Sequence, residues 1–250
     1  MSSRTAEKAK AREARLAAEQ AEAQRATRGR RLKLLGLVLA LAAVLVAAGI
    51  LVSRSGSDDE KEATAQPETL FAGIPQDGAW LGDPQAPVVV EEYADLQCPF
   101  CARFATGELP GIVSDYVRPG KVRIRLRLLT FLGDDSVTAG RFAVAAGQQD
   151  RLWPFVEAFY AQQGRENSGY VTADFLRARA KEVPDLDADQ AFTAADGAPV
   201  TKQLDANQQA AQAAKVDATP TFLVGRRGGP LAPVDGGDLR GALDAALAGQ

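Results

Sequence analysis

The chain has 250 residues, 46% of them apolar and 24% charged, with two cysteines and no histidine. Without histidine there is no Ser-His-Asp triad, no Cys-His dyad, no histidine-held haem and no HExxH zinc site, and two cysteines cannot supply four zinc ligands. The net charge of −3 hides a split: residues 1–33 carry ten Lys/Arg and four Glu, whereas 34–250 carry nineteen Lys/Arg and twenty-eight Asp/Glu. A basic head on an acidic body points to two compartments rather than to a nucleic-acid binder, which needs its basic charge on the folded domain.

Residues 1–33 are rich in Ala, Glu, Arg and Gln, with high helix propensity but no apolar face, and are expected to form a solvated basic cytoplasmic tail. Leu34 to Val52 follow as 19 residues without a polar side chain. As a helix this run covers about 28 Å, the thickness of the hydrocarbon layer, and it lacks the polar positions of a buried core helix. Arg28, Arg30, Arg31 and Lys33 stand before it and only Arg54 just after. The positive-inside rule then places the N-terminus in the cytoplasm and the rest outside. The run is longer than a signal-peptide core, so an uncleaved transmembrane signal anchor is expected, with a cleaved signal peptide as the alternative. Residues 53–69 (SRSGSDDEKEATAQPET) have no large apolar side chain and read as an acidic flexible linker. The folded domain is expected over 70–250, long enough for one buried core.

Within it, Pro87 to Ala94 reads as a buried strand, led by three valines. Cys98-Pro99-Phe100-Cys101 comes next, and Ala102 to Thr106 continues as a helix. The cysteines therefore sit where a strand hands over to a helix N-terminus. Free amides and the dipole there favour a thiolate, the nucleophilic form of cysteine. Pro99 suits an early helical position, where its missing N–H would have had no partner. Cys101 lies one turn on, so the pair can close a small disulfide. Such a ring constrains the unfolded chain little, which argues against a purely structural bridge, and an exported location favours disulfide chemistry over metal binding. Cys98 is expected to be the exposed attacking thiol and Cys101 the buried resolving one.

Lys121 to Leu129 alternates Val122, Ile124, Leu126 and Leu128 with Arg123, Arg125 and Arg127, a strand with one apolar and one basic face. The arginines are expected at a sheet edge or over the outer face, with an anionic-ligand site as the alternative. Asp134 to Val216 is helical in pattern: Asp135-Ser136 starts one helix, Thr172 caps another, Asp187 to Gln190 forms a capping box and Pro199 suits a helix start. Thr221 to Val224 is a further strand, Arg226 to Gly229 a hairpin turn, and Leu231 to Val234 a short strand. Leu239, Leu243 and Leu247 stripe a closing helix with Asp238 near its cap. Trp80, Trp153, Phe155 and Tyr160 are expected in the core or lining a groove.

The segment EYADLQCPFC, preceded by Gly82-Asp83-Pro84-Gln85-Ala86-Pro87 and followed by Asp217-Ala218-Thr219-Pro220-Thr221-Phe222, resembles the DsbA-like branch of the thioredoxin superfamily. It is most similar to the membrane-anchored, extracytoplasmic thiol:disulfide oxidoreductases of bacteria, over about residues 72–250. The resemblance implies an α/β thioredoxin-like fold with a helical insertion at about 134–216, here preceded by a single N-terminal transmembrane helix. It implies a cis proline at Pro220, after Thr219, lying against the redox disulfide Cys98–Cys101. It also implies a buried acid six residues before the first cysteine, which is Glu92. A buried carboxyl with a raised pKa can take and return the proton of the resolving thiol. Alternation along the strand puts Glu92 on the face opposite Val89 and Glu91. Glu91 is expected to be the exposed acid of the two, and a surface position for Glu92 is the alternative.

The expected function is a membrane-tethered oxidase that forms disulfides in exported cysteine-containing proteins, with Cys98, Cys101, Glu92 and Pro220 carrying the chemistry and Pro99, Phe100 and Thr219 shaping the site. No metal or cofactor is expected. The resemblance implies reoxidation by a quinone-linked membrane partner, DsbB-like or vitamin K epoxide reductase-like. A reductase or isomerase of the same fold is the first alternative. No segment of the sequence reads as a dimerisation domain and both cysteines fall in one motif, so the oxidase is the expected direction. A tethered client-binding chaperone without a redox role is the second alternative.

Overall fold

A computed structural model describes residues 70–234 and 238–249. The expected basic head at 1–33, membrane span at 34–52 and acidic linker at 53–69 lie outside these residues. Among the described residues no helix is long and apolar enough to cross a membrane.

Strands β1 (Gln76–Asp77), β2 (Trp80–Leu81), β3 (Val88–Ala94), β4 (Val122–Leu128), β5 (Thr221–Arg226) and β6 (Ala232–Pro233) form one sheet in the order β1-β2-β4-β3-β5-β6. The two long strands β3 and β4 run parallel, Val90 opposite Ile124 and Glu92 opposite Leu126. Strand β5 runs antiparallel on the other side of β3, with Phe222 opposite Glu92. The pair β1–β2 was not foreseen, since two-residue strands carry no periodic signal.

A parallel pair needs a crossover, and here it is the helical stretch that begins at the cysteine motif. Its parts are α1 (Pro99–Arg103), a π-helical turn (Phe104–Glu108), α2 (Leu109–Ile112) and a second π-helical turn (Val113–Val117). The first wide turn has a local cause. Pro110 has no N–H and its ring crowds the carbonyl four residues back, and in the turn before it Leu109 N–H reaches to Phe104 O instead. Between β4 and β5 lie α3 (Asp134–Gly147), α4 (Leu152–Tyr160), α5 (Ala173–Ala180), α6 (Ala188–Ala195) and α7 (Ala198–Ala213), and α8 (Leu239–Ala248) closes the fold. The expected caps are made: the side chains of Thr172, Asp187 and Asp238 accept from Phe175 N, Gln190 N and Gly241 N.

One face of the sheet, with Val88, Val90, Ala94, Val122, Ile124, Leu126 and Leu128, is buried in the main core. The opposite face carries a smaller cluster of Tyr93, Leu129, Leu223 and Ala211. The three arginines of β4 lie on this second face, but not at an edge, because β4 has a strand on either side. Arg123 and Arg125 sit over the Trp80 ring at 4.4 and 5.2 Å, so Trp80 serves as their platform. The expectation for Glu91 is corrected too. It is buried on this face, where Arg127 and the Tyr93 hydroxyl donate to it and Arg125 stands 3.7 Å away. A carboxylate with a guanidinium partner can be buried at tolerable cost, which the one-strand pattern could not reveal.

Candidate active site

Strand β3 delivers the chain to Asp95, whose carboxylate organises the turn into α1. It accepts from Gln97 N at 2.9 Å, Phe131 N at 3.0 Å, Leu132 N at 3.2 Å and Ser136 Oγ at 2.6 and 2.7 Å. Cys98 N donates to Asp95 O at 2.9 Å. The helical insertion holds the same turn from the far side. Tyr160 OH donates to Asp95 O at 3.1 Å, and Gln163 Nε2 donates to Leu96 O at 2.8 Å and Cys98 O at 3.2 Å. Gln97 receives Asn167 N and donates to Tyr170 OH. Tyr160 was expected in the core or lining a groove, but the other long-range partners of this turn, from Phe131 to Asn167 and Tyr170, were not singled out as such by sequence reasoning.

Cys98 is the N-cap residue of α1 in extended conformation, and Pro99 is the first helical residue. Cys101 is fully buried, and Cys98, expected to be exposed, keeps only 4% of its surface. The packing of Thr219 over it closes the site more than a helix N-terminus does alone. Both sulfurs are thiols in this structure. Phe100 faces outward, 58% exposed, with the Arg103 guanidinium 4.3 Å from its ring centroid.

The chain returns to the cysteines 121 residues later. Thr219–Pro220 is a cis peptide, and the thiol of Cys98 donates to Thr219 O at 3.2 Å. Both Thr219 and Pro220 are half-buried. Two influences on Cys98 therefore compete. The Cys101 thiol foremost pulls Cys98 toward the thiolate, and burial alone pulls it toward the thiol. The Thr219 side chain and the backbone N–H groups of Cys101 and Phe100 also favour the thiolate, and together they win, bringing Cys98 down to about 5. Cys101 goes the other way. Burial first, then its hydrogen bond to Cys98, the Cys98 charge and Glu92 hold it far above the ordinary thiol range. The two thiols thus differ sharply in readiness to ionise.

Glu92 is 3% exposed, projects onto the helix-covered face and acts on Cys101 by its charge. Burial, and secondarily the charge of Glu157, raise it to about 8. Of the two acids on β3, the one without an arginine is thus the one turned toward the cysteines. Glu157 on α4, 8% exposed and raised by burial to about 7, is a second buried acid that sequence reasoning did not single out. Its signal was present: Trp153, Glu157 and Tyr160 fall at i, i+4 and i+7 of one helix, an acid in an otherwise apolar stripe. The structure so brings Cys98, Cys101, Thr219, Pro220 and Glu92 to one place, with Pro99 and Phe100 on its outer side. Such an arrangement can form and open a disulfide and hold a proton beside the buried thiol.

Comparison with known proteins agrees with this geometry. Residues 75–244 match the family model described as thioredoxin. The probable disulfide bond formation proteins D of Bacillus cereus and Bacillus anthracis are each 28% identical to this chain, over 220 and 221 residues, which is 87% of this chain and 97% of each relative. Among solved structures, oxidised BdbD from Bacillus subtilis superposes with a TM-score of 0.61 at 23% identity, over 70% of this chain and 97% of that one. A thioredoxin-like oxidoreductase from Silicibacter pomeroyi gives a TM-score of 0.55 at 30% identity, over 72% and 96%. The sheet, its crossover and the helices inserted before β5 make up a thioredoxin-like α/β fold.

Proposed function

We propose that this chain, which belongs to the thioredoxin family and is a protein thiol:disulfide oxidoreductase, works as an extracytoplasmic oxidase that forms disulfides in exported proteins through Cys98 and Cys101. The observation that carries the direction is the stabilised Cys98 sulfur, held near 5 by the Cys101 thiol, Thr219 and two backbone N–H groups. Groups that hold a thiolate stabilise the dithiol form, and a more stable dithiol makes the corresponding disulfide a stronger oxidant. The relatives' name, disulfide bond formation protein D, points the same way.

A client thiolate attacks the Cys98 sulfur, the Cys98–Cys101 bond breaks, and its electron pair goes to Cys101. Client and Cys98 are now joined in a mixed disulfide. The Cys101 thiolate, costly in its apolar setting, takes a proton from Glu92. A second client thiolate attacks the client's own sulfur, and Cys98 leaves as a stabilised thiolate. The client has gained one disulfide, and the protein holds the two electrons as a dithiol. Thr219 and Pro220 present backbone to an extended client segment beside the sulfur. Phe100 and the exposed Phe131, on the loop bound by Asp95, offer it apolar surface.

The rest of the reading concerns location. Residues 34–52 anchor the chain as a signal anchor, 1–33 remain in the cytoplasm, and 53–69 tether the 70–250 domain outside. A quinone-linked membrane protein, DsbB-like or vitamin K epoxide reductase-like, removes the electrons. The uncharged 19-residue run and its basic flank support this part. The test is to trap the cysteines in cells by alkylation and to equilibrate the full chain with glutathione. A pair found as disulfide in cells, with a potential well above that of thioredoxin, is the expected result. A predominantly reduced pair overturns the oxidase in favour of a reductase or isomerase. Undiminished activity of Cys98→Ser overturns exchange itself in favour of a client-holding role.

A further inference from the structure

A proton taken by Glu92 needs a route to water, because Glu92 is only 3% exposed and acts on Cys101 from within the core. The helix α4 crosses this region with one face turned to the sheet. Trp153 Nε1 donates to Ala79 O at 3.2 Å, beside β2, and Tyr160 OH donates to Asp95 O at 3.1 Å, just beyond the end of β3. Glu157 lies on the same face between these two anchors. It is therefore held over the middle of the sheet, where Glu92 projects, and its charge acts on Glu92. Its Oε2 is buried with no hydrogen-bond partner, and neither acid takes part in an ion pair among the described residues. A buried, unpartnered carboxyl oxygen is expensive, and the packing of α4 makes no use of it. Glu157 is also the more exposed of the two acids.

We propose that Glu157 is the second station of a proton path, passing to water the proton that Glu92 takes from Cys101, and returning one in the reverse reaction. The proposal rests on Glu92 being the proton carrier. The steps balance without any electron transfer of their own. Cys101 thiol and Glu92 carboxylate give Cys101 thiolate and Glu92 acid. Glu92 acid and Glu157 carboxylate exchange the proton, and Glu157 acid releases it to water. The titratable groups facing this path are Cys98 and Cys101 from α1, Asp95 from the turn after β3, and Tyr160 from α4. Glu92 near 8 and Glu157 near 7 are close enough for the proton to move either way at neutral pH.

The test is the single-turnover closure of the full chain carrying glutathione on Cys98. Here Cys101 loses its proton and attacks Cys98, the Cys98–glutathione bond breaks, and glutathione thiolate leaves. Closure is followed by tryptophan fluorescence from pH 6 to 9 for the wild type, Glu157→Gln, Glu92→Gln and the double variant. The rate of the wild type should rise with pH as Glu92 loses its proton. For Glu157→Gln a single closure should keep its plateau, because Glu92 alone takes the proton, whereas repeated turnover with a reduced client peptide and glutathione disulfide, which needs Glu92 emptied each time, should slow about tenfold, within the range of acid–base catalysis. The midpoint should move to lower pH, since the charge that raises Glu92 is gone. The double variant should be no slower than Glu92→Gln alone, and Glu157→Asp should recover part of the rate. A shifted midpoint with an unchanged rate of repeated turnover overturns the relay, leaving Glu157 a bystander charge and Glu92 intact as the carrier. An unchanged rate for Glu92→Gln overturns the Glu92 reading and the relay with it.

Discussion

The Cys98 sulfur lies 3.2 Å from the carbonyl oxygen of Thr219, 121 residues further along the chain. A carbonyl can accept a hydrogen bond from the thiol but has nothing to offer a thiolate. Ionisation of Cys98 therefore gives up that contact and relies on the donors around it, foremost the Cys101 thiol. Removing this donor by Cys101→Ala should raise the Cys98 pKa from about 5 toward the ordinary thiol value. Thiolate absorbance near 240 nm, titrated on the reduced protein, reads the shift directly. A titration still centred near 5 would place the stabilisation in the backbone amides of α1 instead.

The same sulfur makes stability depend on redox state. The folded pKa of Cys98 lies below its unfolded value of 9.0, so its contribution is fully present above 9 and is lost as pH falls through about 5. At pH 7 the dithiol form should gain on the order of 2–3 kcal/mol from this group. Urea unfolding at pH 5 and pH 7 should show the reduced protein gaining stability relative to the disulfide form, on top of the loss that the buried acids Glu92 and Glu157 impose on both forms. Cys98→Ser should abolish the difference in slope.

Glu92 has the opposite sign. Its folded pKa, about 8, is above the model-compound value of 4.5. The folded state keeps a proton that the unfolded chain releases, so stability is full below 4.5 and falls as pH rises through 8. Glu92→Gln, which stays neutral, should match the wild type near pH 4 and exceed its stability at pH 8 by a few kcal/mol on the order-of-magnitude reckoning of buried carboxyls. Paired denaturation curves at the two pH values check this, and an equal loss at both would contradict it.

Asp95 is buried and receives hydrogen bonds from Gln97, Phe131, Leu132 and Ser136. Asp95→Ala strands these donors together and should cost roughly 3 kcal/mol or more, the range for breaking a buried polar network. Chemical denaturation gives the number. Since the turn holding Cys98 depends on this carboxylate, the variant should also titrate Cys98 over a broader range.

The hairpin after β5 provides a local check on packing. Gly225 faces the Pro230 carbonyl so closely that an added Cβ would sit 2.3 Å from its oxygen. Gly225→Ala should shift the hairpin and lower stability by about 1–3 kcal/mol, as overpacking does, while Cys98 titrates unchanged. Thermal unfolding and the 240 nm titration separate the two effects.

What was legible in the sequence is what short-range physics writes there. The strand before Cys98, the helix begun by Pro99, the alternation from Val122 to Leu128 and the caps at Thr172, Asp187 and Asp238 each depend on residues within about four positions of one another. The cysteine motif and Thr219-Pro220 were legible by likeness to a family. Periodicity also split Glu91 from Glu92, but it could not say which face the helices would cover or that Arg127 would meet Glu91. The burial of Cys98, the acid Glu157 beside Glu92 and the Asp95 network arise from contacts between segments 36 to 121 residues apart. The sequence by itself determined that one CxxC stands at a strand-to-helix junction, with no imidazole to activate it. Only the tertiary structure decided how those thiols ionise, because a pKa is set by what lies a few ångströms away in space, whatever its distance along the chain.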